Sequence, residues 1–223
     1  MIPFAITMFA LIVVGLVLLF RLLPHMKPNS KRIKQDLQEM QTDMNEWLDQ
    51  ELVPIRKEEL ELFSFNQMNR LVKKRITLRA RGVFTTIYDE PVLAYAYKRY
   101  MGSGRNALLY ARTADHHFAY WIKNKEIQML IDNKLVGVLR NDGVLYNERK
   151  RPIASIQQSQ EELAPVVVHD REVASLVKTD AQKSGTLSPR AFQFVKKDIN
   201  EEEEKLFLAL ATLELVRESV PKK

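Results

Sequence analysis

The chain of 223 residues has no cysteine. Disulfides, thiolate metal sites and a cysteine nucleophile are therefore excluded, and a reducing compartment suits such a composition. Histidine is scarce, with His25, His116, His117 and His169 the full set. No GxSxG, Walker A, GxGxxG, HExxH or EF-hand pattern occurs. With no nucleophile or acid–base constellation in view, the expectation is a protein that is not an enzyme, without cofactor or metal.

The fragments that resemble sites read better as structure. In Asp115-His116-His117, neighbouring strand residues point to opposite faces, so the two imidazoles do not share a metal. Asp115 and His117 share a parity, and a surface role is expected for the group. Gly102-Ser103-Gly104-Arg105 lies between two expected strands and reads as a turn. Without a following helix it lacks the amide-and-dipole cradle that holds phosphate. Glu201, Glu202, Glu203 and Glu204 spread around a helix start and complement its dipole.

Charge of one sign is in modest excess. The net charge is +6 and the pI about 9.4, with 46% apolar and 28% charged residues. That composition suits a folded domain. The basic balance suits anionic partners or plain solubility.

What is present begins with residues 4–20, FAITMFALIVVGLVLLF, which carry no charge. About 20 apolar residues span a bilayer as a helix, and Pro24 ends the run, so residues 1–24 are read as a transmembrane anchor. A cleaved signal would need a basic start and a small-residue cleavage site, and neither is there. Arg21, Lys27, Lys31, Arg32 and Lys34 all precede the first acid, Asp36. The positive-inside rule then keeps residues 24–223 in the cytoplasm, with these five cations at the membrane flank.

Residues 25–58 read as an amphipathic stalk helix. Asn29 or Ser30 caps it, it runs to about residue 52, and Pro54 stops it. Ile33, Leu37, Met40, Met44 and Trp47 follow a 4, 3, 4, 3 spacing. Two uses of this stripe stay open: a seam for self-association into a homo-oligomer, and packing on its own domain. Asp36, Glu39, Asp43 and Glu46 place acids on the polar face, which disfavours an anionic bilayer as its support.

Residues 59–223 form the soluble domain. From Arg75 the period falls to 2, and about ten short strands follow between turns. They are read at residues 75–87 (with Gly82 as a bulge), 92–100, 107–112, 118–123, 127–131, 135–139, 144–146, 152–156, 172–177 and 191–195. Asp132-Asn133-Lys134 and Asn141-Asp142-Gly143 mark hairpins. This pattern predicts a mainly β fold, an antiparallel, barrel-like meander. Residues 200–218, NEEEEKLFLALATLELVRE, are helical and apolar on nearly every side. Such a helix has to be buried on every side, so the sheet is expected to enclose it.

Short strands, the Leu135-Val-Gly-Val-Leu139 hairpin with Asn-Asp-Gly-Val-Leu145 after it, and the last acidic-then-apolar helix together resemble the tubby C-terminal-like superfamily. That group includes the phospholipid scramblases and the LURP-one-related proteins. The resemblance implies a barrel around its own C-terminal helix. It also implies phosphoinositide contact at a basic patch. Lys73, Arg75, Arg79 and Arg81 share one strand parity and supply such a patch, and Arg149, Lys150 and Arg151 supply a second. The expected function is a membrane-tethered module binding anionic phospholipid headgroups or a protein partner. A self-associating scaffold is the alternative, and scramblase or enzyme activity ranks below both. Nucleic acid is not expected.

Overall fold

The computed structural model describes residues 28–74, 77–101, 106–124, 126–157, 163–177 and 190–221. The apolar run at 4–20 lies outside them. Among the described residues, no helix is long and apolar enough to cross a membrane.

Helix α1 (Ser30–Trp47) opens the fold, and a 3-10 turn (Lys57–Leu62) leads into the sheet. Twelve strands follow: β1 (Phe63–Lys74), β2 (Leu78–Thr86), β3 (Pro91–Arg99), β4 (Ala107–Arg112), β5 (His117–Lys123) and β6 (Glu126–Ile131), then β7 (Lys134–Arg140), β8 (Val144–Tyr146), β9 (Pro152–Ile156), β10 (Leu163–Val168), β11 (Arg171–Val177) and β12 (Phe192–Val195). Helix α2 (Glu201–Ser219) comes last. Each strand pairs with the next in sequence, in a single antiparallel sheet. The sheet curls until its two edges touch. Ser64 bridges Arg190, and the Ala191 amide donates to the Phe63 carbonyl at 2.7 Å. The result is a nearly closed up-and-down barrel, which leaves little edge for pairing with another chain.

The barrel holds α2. Asn200 and Glu203 exchange capping hydrogen bonds at 2.9 Å each, which satisfies orphan amides at the helix start. Every residue from 206 to 213 is buried. Eight consecutive positions exceed two turns, so every side of the helix meets protein. The Phe207 ring meets Phe192 edge-on at 4.9 Å, and the buried Tyr120 hydroxyl donates to the Ala209 carbonyl at 2.7 Å. The enclosure expected from the apolar circumference is present.

A second apolar cluster lies outside the barrel. In β3, Leu93, Tyr95 and Tyr97 face the interior, whereas Ala94, Ala96 and Lys98 face α1. Ile33, Met40 and Met44 of α1 pack on Val83, Ala94, Leu108, Tyr110 and Ala119 of β2 to β5. Of the two uses left open for the stripe, the structure describes packing on its own domain. The helix is not a free-standing stalk. It also ends at Trp47 rather than near residue 52. Leu48 leaves helical geometry, Leu52 is buried in the same cluster, and the Val53 amide donates to the Pro91 carbonyl at 2.8 Å. Docking to the sheet, not Pro54, ends the helix.

Two strands were not foreseen. β1 reads FSFNQMNRLVKK, and its alternation is broken by register shifts and by Asn69 at φ 51°. β10 contains Pro165, a residue that argues against a strand. Gly82 sits opposite a bulge: the β1–β2 register shifts between Met68 and Leu71, so Asn69 and Arg70 stand against this one residue. Gly82 pairs with Tyr95, and a Cβ there would lie 3.0 Å from the Tyr95 ring. Gly137 is tighter still, because its Cβ would sit 2.2 Å from the Tyr146 carbonyl oxygen. Gly137→Ala is therefore expected to cost about 1–3 kcal/mol through forced backbone movement, read as a lower urea midpoint.

Candidate functional site

The interface between α1 and the outer face of β1 to β3 concentrates charge. Asp36 was placed on the polar face of its helix by the sequence reading, yet it is 0% exposed. Three groups hold it. Lys98 Nζ lies 2.9 Å and Arg32 Nε 3.0 Å from Oδ1, and the Tyr100 hydroxyl donates to Oδ2 at 2.6 Å. Lys98 is itself only 4% exposed. Burial, then the hydrogen bond to Asp36 and its charge, push the Tyr100 phenol far above its ordinary value. The phenol therefore stays protonated and donates.

Strand register builds a cationic ladder beside this cluster. Lys73 of β1 stands opposite Arg79 of β2, and Arg79 stands opposite Lys98 of β3. Directly opposed like charges repel. Asp36 neutralises Lys98. Lys73 and Arg79 are exposed, and among the described residues neither is in an ion pair. They line a cleft of about 180 Å³ whose far wall is Glu39, Asp43 and Trp47 of α1. Arg81 lies deeper. Its guanidinium stacks 4.9 Å over the Trp47 ring, and its Nε is buried without a hydrogen-bond partner among the described residues.

No family model, curated protein or solved structure matches this chain. The reading of the site therefore rests on its geometry.

The structure brings together part of the sequence-predicted set. Lys73, Arg79 and Arg81 share the outer face, Arg79 and Arg81 by parity within β2 and Lys73 by its register opposite Arg79, but Arg81 is half-buried under α1. Arg75 lies outside the described residues, as do Arg21 and Lys27. Lys31 and Lys34 are exposed on α1, while Arg32 is committed to Asp36. Arg149, Lys150 and Arg151 are exposed in the β8–β9 turn, where Asn147 Oδ1 accepts from the Arg149 and Arg151 amides at 3.0 Å each. That turn lies toward the other end of the barrel, so the second cluster does not join the first.

The histidines diverge. His116 Nδ1 meets Asp132 at 3.0 Å, while His117 Nδ1 meets the Tyr110 hydroxyl at 2.7 Å. Desolvation first, then the Arg112 charge, lower the His117 pKa against the opposing pull of Asp132. Among the described residues no group of three His, Cys, Asp or Glu side chains is arranged to hold a metal. Sequence reasoning missed Asp36, Lys98 and Trp47 as parts of one site. The only signal was Asp36 lying three residues after Ile33 and four before Met40, on the side of the apolar stripe.

Proposed function

We propose that this chain is a non-enzymatic, membrane-tethered module that holds anionic lipid headgroups on the outer face of its barrel. The Lys73–Arg79 pair carries the reading. Two exposed cations sit directly opposite each other across a strand pair, with Lys98 beside them already neutralised by Asp36 and with Glu39 and Asp43 across the cleft, so an anion bridging the pair relieves the repulsion that remains. The start of α1 supports it. Ser30 follows Leu23 by about seven residues, which reach at most about 25 Å when extended. With residues 4–20 in a bilayer, the ladder stays near the headgroups at high effective concentration. A barrel around an apolar C-terminal helix is also the arrangement that the tubby-like resemblance implies. The lipid reading is preferred to self-association through α1 because the stripe that would serve as a seam lies against the sheet.

Residues 28–223 keep both apolar clusters and suit a binding assay. They should co-sediment with vesicles containing phosphatidylserine and not with phosphatidylcholine alone. Each basic residue near an anionic surface contributes about 1 kcal/mol, so Lys73→Glu with Arg79→Glu should weaken binding by roughly thirtyfold or more. Unchanged binding by the double variant would remove the ladder as the site.

A further inference from the structure

In an up-and-down barrel, successive turns alternate between two ends, and among the described residues the two ends differ in charge. At one end the register runs from Lys74 to Leu78, Arg99 and Ala107, then through Lys123 and Glu126 to Arg140. The turns at the other end carry Asp89 and Glu90, Asp115, Asp132 and Asp170, and α2 begins there with Glu201, while Arg149, Lys150 and Arg151 form one exposed basic turn among them. Helix α2 finishes at the basic end. Arg70 Nη2 donates to the Ser219 carbonyl at 2.6 Å and Arg99 Nη2 to the Pro221 carbonyl at 3.0 Å.

Aromatic rings stand beside the cations of this end. Lys123 Nζ lies 3.6 Å from the centroid of Trp121, Arg140 4.6 Å from that of Tyr146 and Arg99 5.9 Å from that of Tyr97. Trp and Tyr are the residues that settle at membrane–water interfaces. Among the described residues, the acids of this end are partly engaged. Glu126 stands between Lys123 and Arg140, and Asp142 accepts from the Val144 amide and the Tyr146 hydroxyl.

Helix α1 starts at the same end. Asp36 is tied to Tyr100, just past β3, while Asn45 is tied to Arg112 at the far end of β4. Ser30 therefore lies beyond the Asp36 level by about 9 Å, on the basic side.

We infer that the bilayer meets the rim built by Lys74, Arg99, Lys123 and Arg140, and that the barrel stands upright with its acidic end turned away from the membrane. This rests on the tethering and acidic-lipid reading above, and adds an orientation and a contact surface that includes Lys123 and Arg140, strands away from the ladder. The partner is an anionic leaflet. It attracts the rim cations and repels the carboxylates of the far end, against the pull of Arg149, Lys150 and Arg151 there, so the same field both docks and orients the domain.

A chain without cysteine allows clean single-site labelling. Asn141 and Lys134 are exposed at the two ends of β7, about 20 Å apart along the strand. The full chain, labelled with a fluorophore at Asn141→Cys or Lys134→Cys, is reconstituted into phosphatidylcholine vesicles with or without phosphatidylserine. A headgroup-attached quencher and aqueous acrylamide then report the position of each label. With phosphatidylserine, the Asn141→Cys label should be quenched by lipid and shielded from acrylamide, and the Lys134→Cys label the reverse. Lys123→Glu with Arg140→Glu should abolish the difference without releasing the chain from vesicles. Equal quenching at the two sites, shielding of Lys134→Cys instead, or the same contrast without phosphatidylserine would overturn the orientation while leaving the tether intact. A chain that fails to enter vesicles of either composition would overturn the tethering reading, and the orientation with it.

Discussion

Asp36→Ala is expected to lower the unfolding free energy by about 3–5 kcal/mol, read as a fall in the urea midpoint at unchanged slope. The carboxylate is completely buried and holds two cations and a phenol. Its removal leaves the Lys98 ammonium enclosed without a counter-charge, which is much costlier than losing the ion pair as a whole. Asp36→Leu combined with Lys98→Met removes both charges and should recover most of the loss. Tyr100→Phe removes one hydrogen bond and should cost only about 1 kcal/mol. If Asp36→Ala lost no more than Tyr100→Phe, the buried cluster would not be what fixes α1 to the sheet.

Phe207→Ala is expected to cost a similar amount, about 3–5 kcal/mol. Phe207 is fully buried at the centre of the barrel, with its ring edge-on to Phe192. A rigid barrel wall collapses poorly into the space left behind, so the transfer and cavity terms add. Arg217, exposed near the end of the same helix and paired with Glu214 at 2.7 Å, makes the contrast. Its replacement by alanine should change stability by about 0.5 kcal/mol or less. Equal effects at the two positions would mean that α2 is not a central core element.

The hairpins were legible because turn geometry is local. Asp132 and Asn133 adopt φ 48° and 64°, and Gly143 φ 79°, as the Asp-Asn and Asn-Asp-Gly runs suggest. Enclosure of α2 was legible for a different reason: a helix with no polar side has no alternative but burial. β1 was not legible, because its bulges erase the period-2 signal. The basic face was legible by parity only for Arg79 and Arg81, since Lys73 joins them from another strand by register, and nothing near Lys73 or Arg79 in the chain announces that Glu39 and Asp43 will face them.

The sequence by itself determined a β meander, its turns and a buried last helix, because each follows from the conformations and solvent preferences of residues close together along the chain. The fate of α1 was decided only by the tertiary structure. An amphipathic stripe states that one face needs cover but not what supplies it. Two of the three partners of Asp36, Lys98 and Tyr100, stand more than sixty residues away on β3 and just beyond it. The division of charge between the two ends was decided the same way, since only strand register gathers Lys74, Arg99, Lys123 and Arg140 on one rim.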